Sequence, residues 1–240
     1  MKLFQSLFSL RLSNGVPILA LQLLVACSGE PEAAKVAPDT AAPAAGAPAA
    51  AAPADGPLVV AFGDSLYAGY GVDRKESFPA ELEAALRARG IPATVHNAGV
   101  SGDTSAAGRQ RLGFMLDGLP KKPELVLVGL GGNDMLRGLD PAETRKNLSA
   151  ILDELKARGI PAMLTGMVAA PNLGRDYAEA FNPIYPELAA RYGVPLYPFF
   201  LEGVVTDPKL MLPDRIHPTA TGIDRVVAKV APQVAEALAD

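Results

Sequence analysis

Short aliphatic runs alternate with amphipathic helical patterns from residue 58 to the end of the chain. The runs that predict strands are Leu58–Phe62, Ala93–Asn97, Leu125–Leu130, Pro161–Met167 and Val194–Tyr197. The patterns that predict helices cover Phe78–Arg89, Thr104–Leu116, Asp140–Gly159, Tyr177–Tyr192 and Ala220–Leu238. Strands that alternate with helices predict an α/β domain, in which right-handed crossovers cover both faces of a parallel sheet.

Residues 1–26 have the pattern of a secretory signal peptide. Positive charges at Lys2 and Arg11 precede an apolar run of 11 residues, Val16–Ala26, and a bilayer-spanning helix takes about 20. The run ends in Leu24-Val25-Ala26-Cys27, which resembles the lipobox of bacterial lipoproteins. The resemblance implies that Cys27 is diacylated, and the serine after it favours sorting to the outer membrane. The alternative is a lone cysteine in a core, which the position of Cys27 at the end of the apolar run disfavours.

Residues 27–57 predict a tether. Ala41–Ala54 contains ten Ala, three Pro and one Gly. The prolines at 43, 48 and 53 oppose a helix and favour an extended chain. A segment with so little to bury is expected to stay disordered. Residues 58–240 are then one domain, with enough residues for a large apolar core.

Charge and motif content narrow the partners and cofactors. The net charge is −4, from 22 basic and 26 acidic residues, and there is no basic tract. Nucleic acid is therefore not an expected partner. No Walker A or Gly-x-Gly-x-x-Gly stretch follows a strand, and no His/Cys/Asp cluster has metal-ligand spacing. Neither a nucleotide cofactor nor a metal ion is expected.

Polar stretches follow the predicted strands. Ser65 lies in Phe62-Gly63-Asp64-Ser65-Leu66, where the first strand turns toward a helix. Later stretches are Asn97–Thr104, Gly131–Asp134 and Asp214–Pro218. Because the carboxyl ends of parallel strands meet at one edge of a sheet, these stretches are expected to form one site. Each also has an ordinary explanation, since Gly, Asp, Asn and Ser suit turns and helix caps, and Asp134 could cap its own segment.

The residues in these stretches suit acyl transfer. Ser65 supplies a hydroxyl that becomes a good nucleophile when a base takes its proton, and His217 is the candidate base. Asp214, three residues earlier, could bond the ring nitrogen that faces away from Ser65. The candidate donors to an oxyanion are the backbone N–H groups of Ser65 and Gly102 and the side-chain amide of Asn133.

These stretches resemble the sequence blocks of the SGNH (GDSL) hydrolase family. Phe62–Leu66 is similar to the first block, Gly102 to the second, Gly131–Asp134 to the third and Asp214–His217 to the fifth. The resemblance implies that Ser65, Asp214 and His217 form a catalytic triad. It also implies that Ser65, Gly102 and Asn133 form the oxyanion hole.

In two stretches the chain resembles one particular branch of this family. Asn97–Ser105 and Val126–Gly138 are similar to the thioesterase I/lysophospholipase L1/arylesterase branch of the family, and the similarity covers Leu58–Ala237. It implies a three-layer α/β/α sandwich, whose five-stranded parallel sheet has flavodoxin-like strand order. It also implies hydrolysis of carboxylic esters and acyl thioesters.

The expected protein is thus a serine esterase, held by lipidated Cys27 at the outer membrane of a bacterial cell envelope and facing the periplasm. The alternatives are a carbohydrate O-deacetylase of the same family and a non-catalytic surface binding lipoprotein. A flavodoxin-like nucleotide or receiver module is disfavoured because the phosphate loop is missing.

The sequence also supports predictions for residues outside these blocks. The loop Met167–Tyr177 is expected to line the acyl pocket, with Arg175 in solvent. His96 is expected to be a packed or strand-end histidine, and Arg109 and Arg111 are expected to point outward from their helix.

Overall fold

The computed structural model of the protein describes residues 56–239. The predicted signal peptide, the predicted lipid attachment at Cys27 and all but the last two residues of the predicted tether lie outside the described residues.

Five parallel strands form one sheet with helices on both faces, which confirms the predicted fold class. The strands are β1 (Leu58–Gly63), β2 (Thr94–Gly99), β3 (Leu125–Gly129), β4 (Ala162–Thr165) and β5 (Leu196–Tyr197). Their order across the sheet is β2-β1-β3-β4-β5, the flavodoxin-like order. β1 is buried at all six positions, as expected for a strand covered on both faces.

Eight α-helices connect or flank these strands within residues 56–239. They are α1 (Ser65–Ala68), α2 (Phe78–Ala88), α3 (Ser105–Asp117), α4 (Gly132–Leu136), α5 (Pro141–Ala157), α6 (Arg175–Phe181), α7 (Ile184–Tyr192) and α8 (Ala220–Ala237). Asp140 caps α5 and Pro141 occupies its first turn, as the sequence predicts. None of the helices in this part of the chain has the length and apolar character of a membrane span.

The two faces of the sheet bury separate hydrophobic clusters. Alternate residues of a strand point to opposite faces, so Val59 and Ala61 pack with α2 and α8. Val60 and Phe62 pack on the other face with α3, α5 and α7. The sheet therefore forms the middle of three layers, and its carboxyl edge is left open to loops.

The prediction of one helix over Tyr177–Tyr192 was wrong. The structure has α6 and α7, separated by Asn182 and Pro183. Proline lacks the N–H that a continuing helix needs, and its ring clashes with the preceding turn. The Asn182 side chain accepts a hydrogen bond from the Ala169 N–H (2.8 Å), so the break fastens the loop that follows β4.

Three glycines pair in register near the carboxyl ends of neighbouring strands. Gly63 on β1 lies opposite Gly99 on β2 and Gly129 on β3. A Cβ atom would lie 2.6 Å from the Tyr67 ring at Gly63 and 2.5 Å from it at Gly129. At Gly99 it would lie 2.3 Å from the backbone nitrogen of Ala68. The missing side chains therefore let α1 pack directly against the end of the sheet.

Candidate active site

Ser65, His217 and Asp214 form one chain of hydrogen bonds. His217 Nε2 lies 2.8 Å from Ser65 Oγ, and His217 Nδ1 lies 2.7 Å from Asp214 Oδ2. Ser65 and His217 are 152 positions apart in sequence. The structure therefore brings together the three side chains that the sequence singles out for nucleophilic chemistry.

Ser65 is the first residue of α1, which begins directly after β1. Asp64 is the N-cap of this short helix, and its Oδ1 accepts a hydrogen bond from the Leu66 N–H (3.0 Å). The strand, the cap and the helix together hold Ser65 at the carboxyl edge of the sheet, where open α/β sheets bind their ligands.

Asp214 is held by its own turn as well as by His217. Its Oδ1 accepts hydrogen bonds from the backbone N–H groups of Ile216 (2.9 Å) and His217 (3.1 Å). Burial acts to raise the pKa of Asp214, but the His217 side chain and these N–H groups together lower it to about 2. The carboxylate is therefore ionised at neutral pH, and it can orient the imidazole and stabilise its protonated form.

Tyr70 covers His217 and was not identified from the sequence. The two ring centroids are 4.3 Å apart and the ring planes are inclined by 33°. Tyr70 lies between Gly69 and Gly71, both with positive φ. The sequence feature that could have identified it is an aromatic residue between two glycines just after Ser65. The contact restricts the imidazole and places a π-system beside it, an arrangement that favours a positively charged ring.

Asn133 is the second residue of α4, and Gly102 lies in the loop between β2 and α3. The Asn133 amide donates hydrogen bonds to the Asp103 carbonyl (3.0 Å) and to Asp64 Oδ2 (3.2 Å). Asn133 lines the same groove as Ser65, whereas Gly102 does not belong to the lining. Gly102 has a φ of 85°, and its carbonyl accepts a hydrogen bond from Arg137 (2.8 Å).

Asp64 is a buried carboxylate that sequence reasoning did not single out. It is 3% exposed and lies between Ser65 and the Asn133 amide. Burial raises the pKa of Asp64 to about 6, against the opposing effects of the Leu66 N–H, the charge of His217 and the Asn133 amide. One side chain thus couples the turn that carries Ser65 to Asn133.

The prediction that Arg111 points outward from α3 was wrong. Its guanidinium donates hydrogen bonds to Asp103 Oδ2 (2.6 Å) and to the Gly63 carbonyl (3.0 Å), and it lies 4.2 Å from the Phe62 ring centroid. An ion pair and a carbonyl at the strand end outweigh the tendency of arginine to extend into water. His96 lies half-buried within β2, as expected.

Asp134 holds the start of α3. It is 2% exposed, and its Oδ2 accepts a hydrogen bond from the Ser105 N–H (2.8 Å). Its Oδ1 accepts from the hydroxyls of Ser105 and Thr144. Asp134 therefore braces the start of α3 against α5 and does not cap its own helix, whose N-cap is Gly131.

A groove of about 310 Å³ opens beside Ser65. The first part of the predicted pocket loop, Met167–Pro171, lines it together with Leu136, Phe199 and Ile216. The side chain of Arg175 lies in solvent, 87% exposed. Within residues 56–239 no three His, Cys, Asp or Glu side chains are grouped closely enough to hold a metal ion.

The chain is similar to several known proteins. The model of the GDSL-like lipase/acylhydrolase family matches residues 61–225. Esterase TesA of Pseudomonas aeruginosa is 40% identical over 174 residues, 72% of this chain and 86% of the relative. Thioesterase 1/protease 1/lysophospholipase L1 of Escherichia coli K12 is 44% identical over 160 residues, 67% of this chain and 74% of the relative. The crystal structure of AlinE4, an SGNH-hydrolase family esterase, aligns at 56% identity and a TM-score of 0.66, covering 76% of this chain and 97% of AlinE4.

We predict that Asp64 makes stability depend on pH. Its pKa is about 6 in the fold and 3.8 ordinarily, so the folded chain binds this proton more tightly than the unfolded chain. The free energy of unfolding should therefore fall as pH rises from about 4 to about 6, by up to about 3 kcal/mol from this group. Asp64→Asn should remove that contribution, as measured by urea unfolding at a series of pH values.

The quantity compared at each pH is the difference in the free energy of unfolding between wild type and Asp64→Asn, because other groups titrate in both proteins. Asp176→Asn, at an exposed position on α6, is the matched control. Parallel stability curves for wild type and Asp64→Asn would contradict the prediction.

Proposed function

This chain belongs to the GDSL-like lipase/acylhydrolase family, and on that premise we propose that it hydrolyses carboxylic esters and acyl thioesters through an acyl-enzyme on Ser65. The observation that carries the proposal is the hydrogen-bonded chain from Ser65 Oγ through His217 to Asp214, beside an apolar groove. The relatives named as an esterase and as a thioesterase/lysophospholipase support these two substrate classes.

In the acylation step, Ser65 Oγ attacks the carbonyl carbon of the substrate while His217 Nε2 takes the hydroxyl proton. The 2.8 Å separation of these atoms suits the transfer. Asp214 holds the Nδ1–H of the ring and stabilises the imidazolium that forms. Collapse of the tetrahedral intermediate breaks the bond to the leaving oxygen or sulfur, which receives the proton from His217.

In the deacylation step, water takes the place of the leaving group. His217 accepts a proton from this water as it attacks the acyl carbon, and then returns the proton to Ser65 Oγ. The products are the free acid and the regenerated enzyme. Neither step calls for a metal ion or an organic cofactor.

The oxyanion of each tetrahedral intermediate needs donors, and we assign these to the N–H groups of Ser65 and Gly102 and the amide of Asn133. Both hydrogens of that amide are engaged, one by Asp64 and one by the Asp103 carbonyl. The bond to Asp64 is the longer of the two, so it is the one we expect to give way to the oxyanion. The shorter bond then keeps the amide oriented.

The lining of the groove favours an acyl chain or aryl group over a sugar. Its walls are mostly aliphatic or methionine side chains, and Phe199 is the one aromatic residue among those that line it. The carbohydrate O-deacetylase alternative therefore lacks the aromatic platform on which sugar rings commonly stack.

Attachment to a membrane is a further part of the proposal. It is supported by Leu24-Val25-Ala26-Cys27 at the end of the apolar run and by the Ala/Pro-rich segment that follows. A diacylated Cys27 provides two lipid chains, and two chains give stable anchoring where a single chain does not. The domain would then work at the surface of a bacterial envelope membrane.

We expect Ser65→Ala to abolish turnover of a p-nitrophenyl ester and labelling by a fluorophosphonate, because the nucleophilic oxygen is lost. Turnover is followed by absorbance and the fold by circular dichroism. Ser149→Ala, a serine on α5, is the matched control. Full activity of Ser65→Ala would rule out the proposed mechanism.

We expect Asn133→Ala to lower kcat for the same ester by about 100- to 1,000-fold, since one oxyanion donor is removed. The KM should change much less, because the donor acts mainly on the transition state. Asn172→Ala, at an exposed position beyond the groove, is the control. A loss of less than about tenfold would assign the oxyanion to the backbone donors alone.

We expect bacteria that express the full chain to incorporate labelled palmitate into it, and Cys27→Ser to prevent this. Cys27 is the one cysteine in the sequence, so no other thiol can account for acylation. Equal labelling of wild type and variant, or no labelling of either, would disprove lipid attachment at Cys27.

A further inference from the structure

Arg215 has an unusual backbone conformation at the edge of the groove. Its φ is 58°, and every other residue with positive φ in the described part of the chain is glycine. Long side chains adopt this left-handed region rarely and at a cost, and such strain is often found at functional sites. The conformation is held by hydrogen bonds from the Arg215 N–H to the Leu212 carbonyl (2.9 Å) and from the Leu212 N–H to the His217 carbonyl (2.8 Å).

The charge of Arg215 is not neutralised by its neighbours. Arg215 is exposed, and within residues 56–239 it forms neither a salt bridge nor a side-chain hydrogen bond. The adjacent carboxylate of Asp214 is already engaged by the His217 ring and by two backbone N–H groups. Its guanidinium is therefore available to a ligand.

Arg215 is the one Lys or Arg among the residues that line the groove. The apolar side chains around the opening are each between 39% and 48% exposed, and they are Leu136, Val168, Val205 and Ile216. The carboxylate in the lining, Asp64, is almost fully buried. An apolar channel with one free cation at its edge suits an amphiphile that carries an anionic group.

The position of Arg215 indicates which part of the substrate carries the anion. In the proposed mechanism His217 delivers a proton to the leaving oxygen or sulfur, so the leaving group must lie against His217. Arg215 precedes His217 by two residues in the same tight turn. Because the two residues share this turn, the proposed mechanism places the cation on the leaving-group side of the scissile bond.

We propose that Arg215 is a specificity-determining residue that binds an anionic group, such as a phosphate, on the alcohol or thiol part of the substrate. The planar guanidinium can bond two phosphate oxygens at once. This inference rests on the proposed function, since it assigns a preference among the esters and thioesters that Ser65 would cleave.

The test compares substrates that share one acyl chain and differ in the charge of the leaving group and, in the second pair, also in its size. One pair is octanoylglycerol and octanoylglycerol phosphate, and the other is the octanoyl thioester of N-acetylcysteamine and octanoyl-coenzyme A. The measured quantity is the ratio of kcat/KM for the anionic member to that for the neutral member. If substitution of Arg215 lowers this ratio in the first pair, the anionic group lies on an alcohol. If it lowers the ratio in the second pair, the anionic group lies on a thiol.

We expect Arg215→Gln to lower this ratio by about fivefold in at least one pair, the effect of losing an exposed charge pair. Arg215→Gly should lower it at least as much, because it also removes the charge, while glycine adopts positive φ without strain. Arg175→Gln removes an exposed arginine of α6 and is the matched control, with an unchanged ratio. Rising salt should lower the ratio of the wild-type enzyme, because salt screens exposed charges.

A ratio that is the same in wild type and in both Arg215 variants would overturn the inference, while hydrolysis of the neutral substrates would leave the proposed function standing. Absence of hydrolysis of all four substrates by wild type would contradict the proposed function and the inference with it. If a variant fails to fold, the salt dependence of wild type still decides, since a ratio independent of salt contradicts a role for an exposed cation.

Discussion

The position of Ser65 depends on the packing of Tyr67 across the ends of three strands. Tyr67 is 1% exposed, and its hydroxyl lies 2.8 Å from Thr165 Oγ1 at the end of β4. Its ring occupies the space where Gly63 and Gly129 lack side chains. Because Tyr67 belongs to the same short helix as Ser65, fixing the ring also fixes the hydroxyl at the open edge of the sheet. The groove and the His217 turn lie around that hydroxyl.

The site is held together by buried polar groups, and burying them lowers the stability of the fold. Asp64 bonds both the Leu66 N–H and the Asn133 amide, and Asp134 bonds the first residue of α3. An ionised carboxylate out of water is unfavourable unless every contact is satisfied. Such groups persist at sites where geometry matters more than maximal stability. In this domain they couple the turn that carries Ser65 to α4, and α4 to the start of α3.

The groove combines residues of the hydrogen-bonded site with residues from separate loops. Ser65, Asp214 and His217 lie in tight turns that are tied to the sheet and to one another by short hydrogen bonds. These turns contribute Ser65, Arg215 and Ile216 to the groove, and the rest of its lining comes mainly from the loop after β4, from α4 and from the segment that precedes the His217 turn. Loops of this kind can differ between proteins without disturbing the sheet, so substrate preference can vary while the reaction stays the same.

The sequence alone determined the fold class, the approximate bounds of the strands, and the stretches that meet at the carboxyl edge. It could do so because strand and helix periodicity and turn chemistry are local properties, and because the four blocks resemble one family. Only the tertiary structure decided that Arg111 turns inward to Asp103, that Tyr70 covers His217 and that Asp64 bonds the Asn133 amide. It also decided the left-handed φ of Arg215. These contacts join residues from separate elements, or depend on hydrogen bonds that close a turn, and neither kind of contact leaves a periodic signal along the chain.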